Sequence, residues 1–129
     1  MFDVDELVSA CRDALSESEP RLAVRDVLKR ALGRPSEVSD VLARTMGGLE
    51  LLHHSPDLTI LNFVWAPEMV LYPHDHRMWA AIGIYGGTED NLLFRRTPDG
   101  IERSGEKELH DGDVLVLGSD AVHSCSPRC

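Results

Sequence analysis

Residues 73–87 read PHDHRMWAAIGIYGG. His74 and His76 stand two apart, and an apolar run then leads to Gly86-Gly87. Along an extended chain successive side chains alternate between faces, so His74 and His76 share one face and Asp75 takes the other. Carried on through a single strand, the alternation puts Met78, Ala80, Ile82 and Ile84 on the histidine face and Trp79 on the opposite one. Imidazoles set among apolar neighbours lose hydration, and hydrogen-bond partners or a metal ion must offset that loss. By itself an HxH pair is as compatible with coincidence as with ligation.

The flanking sequence decides what this stretch belongs to. On both sides, short runs rich in Leu, Ile, Val, Phe and Trp alternate with turn residues: Leu49–Leu52, Leu58–Trp65, Met69–Tyr72, Met78–Tyr85, Asn91–Arg96, Ile101–Ser104, Lys107–Leu109, Val114–Leu117 and Ala121–Cys125. The punctuation is His54-Ser55-Pro56-Asp57, Gly86-Gly87, Thr97-Pro98-Asp99-Gly100 and Asp111-Gly112. Closely spaced strands without intervening helices predict a mainly β sandwich or barrel. The first third differs. Val4, Leu7, Val8, Cys11, Ala14 and Leu15 fall on one helical face, with Asp3 placed to cap it. A second helix is predicted from Pro20 to Leu32, and a shorter third from Ser36 to Arg44. The division is therefore a helical segment over residues 1–48 packing on a β-barrel over 49–129, one domain overall.

Charge and composition narrow the function. There are 13 Lys and Arg against 22 Asp and Glu, a net charge of −9, so a nucleic-acid partner, which calls for clustered cations, is not expected. No apolar run approaches the ~20 residues of a bilayer span, and no membrane partner is expected. The acidic, amphipathic start does not read as a leader peptide. Cys11, Cys125 and Cys129 form an odd set without a CxxC pair, which fits a reducing cytoplasm.

The PHDH stretch, with its strand and Gly86-Gly87, resembles the first motif of the cupins, the double-stranded β-helix proteins. That motif has two ligand histidines as HxH, then an acidic ligand and a glycine; the matching positions are His74, His76, Ala80 and Gly87. The segment GDVLVLGSDAVH resembles the second cupin motif, with Gly112, Asp113 and His123 in register, although Gly118 and Asp120 stand at its proline and second glycine positions. The resemblance implies a jelly-roll barrel with a metal held by His74, His76 and His123. Alanine at position 80, where most metal cupins place a carboxylate, is similar to the cysteine dioxygenase branch, as are the helical front and the LTILNFVWAPEMVLYPHDH stretch. In that branch both atoms of O₂ are added to a substrate sulfur, giving a sulfinate. The cofactor implied is one divalent metal, Fe(II) by resemblance, while the same ligands leave Zn, Ni, Mn and Cu open. Three neutral ligands leave the ion its full charge, which favours an anionic ligand such as a thiolate.

The departures shape the expected substrate. Where the animal enzymes cross-link a cysteine to a tyrosine, this chain has Ala81 or a close neighbour. Their substrate-carboxylate arginine maps near Gly48–Leu52, which holds no basic residue; Arg44 and Arg77 are the nearest. A thiol less polar than cysteine, or a non-thiol, is expected, with Arg77, Met78 and Ile82 as candidate substrate contacts. Six residues follow His123, and SCSPRC does not read as a closing strand. The expectation is a C-terminally truncated chain, an incomplete barrel, and self-association through the unpaired edge of the HxH strand. Two other functions stay open: a non-catalytic cupin that binds or senses a ligand, and an inactive truncated product. Of the remaining residues, His53 and His54 read as a solvated loop pair, His110 as a turn residue, Glu68 as a surface acid, Trp65 and Trp79 as packing residues, and Cys125 as a small buried hydrophobe.

Overall fold

A computed structural model of the chain describes residues 1–43, 47–64, 71–75, 78–118 and 121–128, with 71–75 and 126–128 described through the backbone alone. The protein is mainly β: three N-terminal helices precede strands that pair antiparallel throughout the described residues. Helix α1 (Val4–Ala14) begins where predicted, because Asp3 Oδ1 accepts from the Asp5 and Glu6 amides at 2.8 and 3.2 Å. These bonds satisfy two of the four amides that a helix start leaves orphaned. Helix α2 (Pro20–Ala31) opens on Pro20, whose missing N–H costs nothing at a first helical position. Helix α3 (Pro35–Leu42) likewise opens on a proline, Pro35, one residue before the expected start.

The helices bury their apolar faces in two clusters. Leu7, Cys11, Ala14, Val24 and Val27 form the first, closed by Leu58, Ile60, Trp79 and Ala81 from the strands. Leu32, Val38 and Leu42 form the second, against Leu52, Tyr85 and Val114. Full burial of one Leu or Val side chain is worth about 1.5–3 kcal/mol, so these clusters hold the helices to the sheet. The strands they cover are two ribbons: β1 (Gly48–Ser55) with β2 (Leu58–Val64), and β4 (Ala80–Gly83) with β7 (Val114–Leu117). The outer face of β1–β2 leaves Leu49, Leu51 and Leu61 exposed. Asn62, buried on the inner face, donates to the Leu42 carbonyl at 2.7 Å and accepts from the Tyr85 hydroxyl at 2.8 Å. One side chain thereby ties the end of α3 to β2 and to the turn after β4.

The remaining strands, β3 (Leu71–Asp75), β5 (Thr88–Thr97), β6 (Gly100–His110) and β8 (Val122–Arg128), form one sheet in the order β3-β8-β5-β6. Three sequence expectations are corrected here. The run from His74 to Tyr85 is not one strand: β3 lies in this four-stranded sheet, whereas β4 pairs with β7. A chain that changes sheet breaks its period-2 register, so the alternation drawn from His76 to Ala80, Ile82 and Ile84 does not carry across. Met78, expected in the lining, is 64% exposed. Second, Ser126–Arg128, beyond the run expected to end at Cys125, is strand too. It continues β8 between β3 and β5, so the segment after His123 itself pairs with the HxH strand. Val122, His123, Ser124 and Cys125 are all buried, as in a strand covered on both faces, and such a strand shows no alternation to read. Third, Ile101–Ser104 and Lys107–Leu109 belong to a single strand, β6, whose irregular register at Leu93/Phe94 skips Ser104.

Candidate functional site: a buried polar row on the four-stranded sheet

The ladder between β3 and β8 sets His74 opposite His123. Of the three expected ligands, His76 lies outside the described residues, as do Arg44, Trp65, Glu68 and Arg77. His123 is 1% exposed. On the neighbouring strand β5, Leu93 stands opposite His123 and Asn91 opposite Cys125, so Asn91 is a diagonal neighbour of the imidazole. Their side chains meet: Nδ1 of His123 lies 3.1 Å from Oδ1 of Asn91, which is 0% exposed. The Asn91 amide in turn donates through Nδ2 to Oε1 of Glu89 at 2.9 Å. Glu89 is 7% exposed, and Leu109, opposite it on β6, is 1% exposed and closes that end of the row to water.

The polar row thus runs Glu89–Asn91–His123, with two residues of β5 and one of β8 on a common face. No buried side-chain polar atom among the described residues lacks a partner. Cys125 joins the same neighbourhood. Burial and, secondarily, the negative charge of Glu89 push its thiol up to about 12, so it is an inert buried hydrophobe, as read from sequence, and no nucleophile. The turn carrying the second motif has a structural task. Asp113 Oδ2 accepts from the His110 amide at 2.8 Å, and Gly112, at φ +91°, donates its amide to Ile84 at 2.7 Å. Only glycine adopts that backbone without strain, which accounts for the Gly-Asp pair before β7.

The sequence does not single out Glu89 and Asn91: its strand run starts at Asn91 and leaves Glu89 to the preceding turn. The available signal is the spacing of two polar residues on alternate positions of one strand; polar residues at that spacing ordinarily face solvent. The other histidines are placed plainly. His53 and His54 sit at the end of β1 rather than in a loop, bonded to Ser55 Oγ at 3.1 Å and Thr59 Oγ1 at 3.0 Å respectively. His110 is exposed at the end of β6, with Nε2 2.9 Å from Glu108 Oε1.

Of the expected ligand set, His123 is the one side chain among the described residues, and an imidazole is by its chemistry a ligand for divalent cations. His123 offers a neutral imidazole with Nδ1 already engaged, and metal-ligating histidines ordinarily use one nitrogen while the other is held by the protein. The Glu89 carboxylate, itself buried, stands behind Asn91 at the far end of the row. Among the described residues, no three or more His, Cys, Asp or Glu side chains gather as a ligand set; the His74 side chain and His76 stand outside that group. No protein-family model matches the chain.

Proposed function

We propose that the chain is a cupin-type, metal-dependent oxidoreductase resembling the thiol dioxygenases, a jelly-roll barrel behind three helices with His74, His76 and His123 as ligands. The observation that carries this reading is the β3–β8 register, which sets His74 opposite the buried His123. The ladder sets these two positions at one level of the sheet, and in the sequence His76 follows two residues after His74. Fe(II) held by these imidazoles supplies the redox chemistry by which a thiolate and O₂ combine into a sulfinate, with both oxygen atoms ending on sulfur and no other product. The chain's own residues orient and shield: Asn91 holds the His123 ring, and Leu109 keeps water from the buried row. The substrate class is a small thiol less polar than cysteine, since no basic residue stands in Gly48–Leu52.

Anaerobic reconstitution with Fe(II), followed by elemental analysis and O₂ consumption against a panel of small thiols, tests the reading. The wild-type chain is expected to hold stoichiometric metal and His123→Ala to lose it. A wild type that takes up no metal, or an alanine variant that keeps it, overturns the assignment. Metal uptake with no thiol-dependent O₂ consumption favours a ligand-binding cupin instead.

A further inference from the structure

The row Glu89–Asn91–His123 carries information about a proton. An asparagine amide presents an acceptor at one end and a donor at the other, and its neighbours decide which end points where. Glu89 accepts from the Asn91 amide through Oε1. Turning the Asn91 amide over would set its Oδ1 against Glu89 Oε1 at about the present 2.9 Å, two acceptors facing each other without a proton between them. The carboxylate therefore holds Nδ2 toward itself and Oδ1 toward the ring. Oδ1 only accepts, so at 3.1 Å the His123 Nδ1 must be the nitrogen that bears hydrogen. A neutral imidazole has one N–H, so its lone pair is left on Nε2. All three side chains are buried, which removes the water that would otherwise compete for these bonds. In free histidine the Nε2–H form is the commoner tautomer, so the row inverts the ring's own preference.

Resting on the reading of His123 as a ligand, we propose that Glu89 and Asn91 are positioning residues that lock His123 in the Nδ1–H tautomer and so present Nε2 to the metal position. Glu89 acts on the ring at one remove, through the sense in which it holds the amide. The spacing of Glu89 and Asn91 on alternate residues of β5, diagonal to His123 across the β5–β8 ladder, is what brings the three groups into line.

Nitrogen-15 ring spectra of the metal-free, full-length chain, recorded where the imidazoles are neutral, read the tautomer directly; His123 is assigned by its loss in His123→Ala. The wild type is expected to show a pyrrole-like Nδ1 and a pyridine-like Nε2. Glu89→Met frees the amide to turn over, and His123 is expected to become Nε2–H or a mixture. In the double variant E89M/N91D the carboxylate introduced at position 91 accepts from Nδ1 without help from position 89, and the Nδ1–H form is expected to return. Zn(II) affinity should follow the same order, falling about 10–100-fold in E89M and recovering in the double variant. A wild-type Nε2–H ring overturns the proposal without need of any variant, and an unchanged Nδ1–H ring in folded E89M overturns the part assigned to Glu89. The tautomer is read with no metal present. A wild type that binds no metal but shows the lock and its release therefore upholds the lock and sinks only the metal reading.

Discussion

Asn62 holds the helical layer to the strands through a few polar atoms, and replacing it by leucine tests how much of the assembly depends on them. The side chain is 2% exposed, donates to the Leu42 carbonyl at 2.7 Å and accepts from Tyr85 at 2.8 Å. A longer contact to Glu50 Oε1, at 3.3 Å, adds little. Leu42 closes α3, so its carbonyl belongs to the last turn, where no further helical amide follows to satisfy it. Two short bonds at about 1 kcal/mol each, with about 1–2 kcal/mol for a buried carbonyl left without its donor, give about 3–4 kcal/mol for Asn62→Leu. That is a large fraction of the 5–15 kcal/mol by which such domains are ordinarily stable. Tyr85→Phe removes the hydroxyl's bond to Asn62 and leaves the Leu42 carbonyl satisfied, so loss of that bond should cost about 0.5–1.5 kcal/mol. The double variant should cost less than the sum, because the two residues share the Tyr85–Asn62 bond. Urea unfolding followed by circular dichroism measures all three, with an unchanged m-value showing that the denatured state is the same. An Asn62→Leu variant within about 0.5 kcal/mol of wild type, or a Tyr85→Phe variant costing as much as Asn62→Leu, would refute the reasoning.

Three further outcomes follow from the packing. A Cβ at Gly83 would lie 2.6 Å from Leu32 Cδ1, inside a buried cluster, so Gly83→Ala should destabilise by about 1–3 kcal/mol and Leu32→Val should recover part of it; strictly additive costs would show that the two do not meet. The Cys125 thiol is held near 12 against about 8.5 in an unfolded chain, so the unfolded state loses its proton first as pH rises and stability, intact below about pH 8.5, falls between there and about 12. At about pH 8 a thiol reagent should accordingly leave Cys11 and Cys125 unmodified until the protein unfolds, and rapid labelling of either in the native chain would contradict their burial. Strand β3 ends the strand order of its sheet, and Leu49, Leu51 and Leu61 stand exposed on β1–β2, so light scattering should show an average mass that rises with concentration; a constant monomer mass would remove self-association.

Local signals were enough to read the helices and most of the strands. Asp3 as a cap, Pro20 at a first helical position and the three-four spacing of Leu7, Cys11 and Ala14 act within a few residues, and the elements they specify stand where the sequence places them. The strand runs were equally legible wherever one face is buried and the other wet, because alternation then survives in the composition. The continuation of β8 over Ser126–Arg128 was not legible, since short polar residues and a proline carry no strand signal of their own and only the partner strand β5 fixes them in the ladder. Nor was the change of sheet between β3 and β4, which is a matter of partners and not of propensity. The sequence alone singled out His123 by a motif and a spacing. Only tertiary structure decided what surrounds it, because Glu89 and Asn91 come from a strand some thirty residues earlier in the chain, brought beside it by the β5–β8 register. A hydrogen-bonded row of that kind is a property of the ladder, and no single segment of sequence contains it.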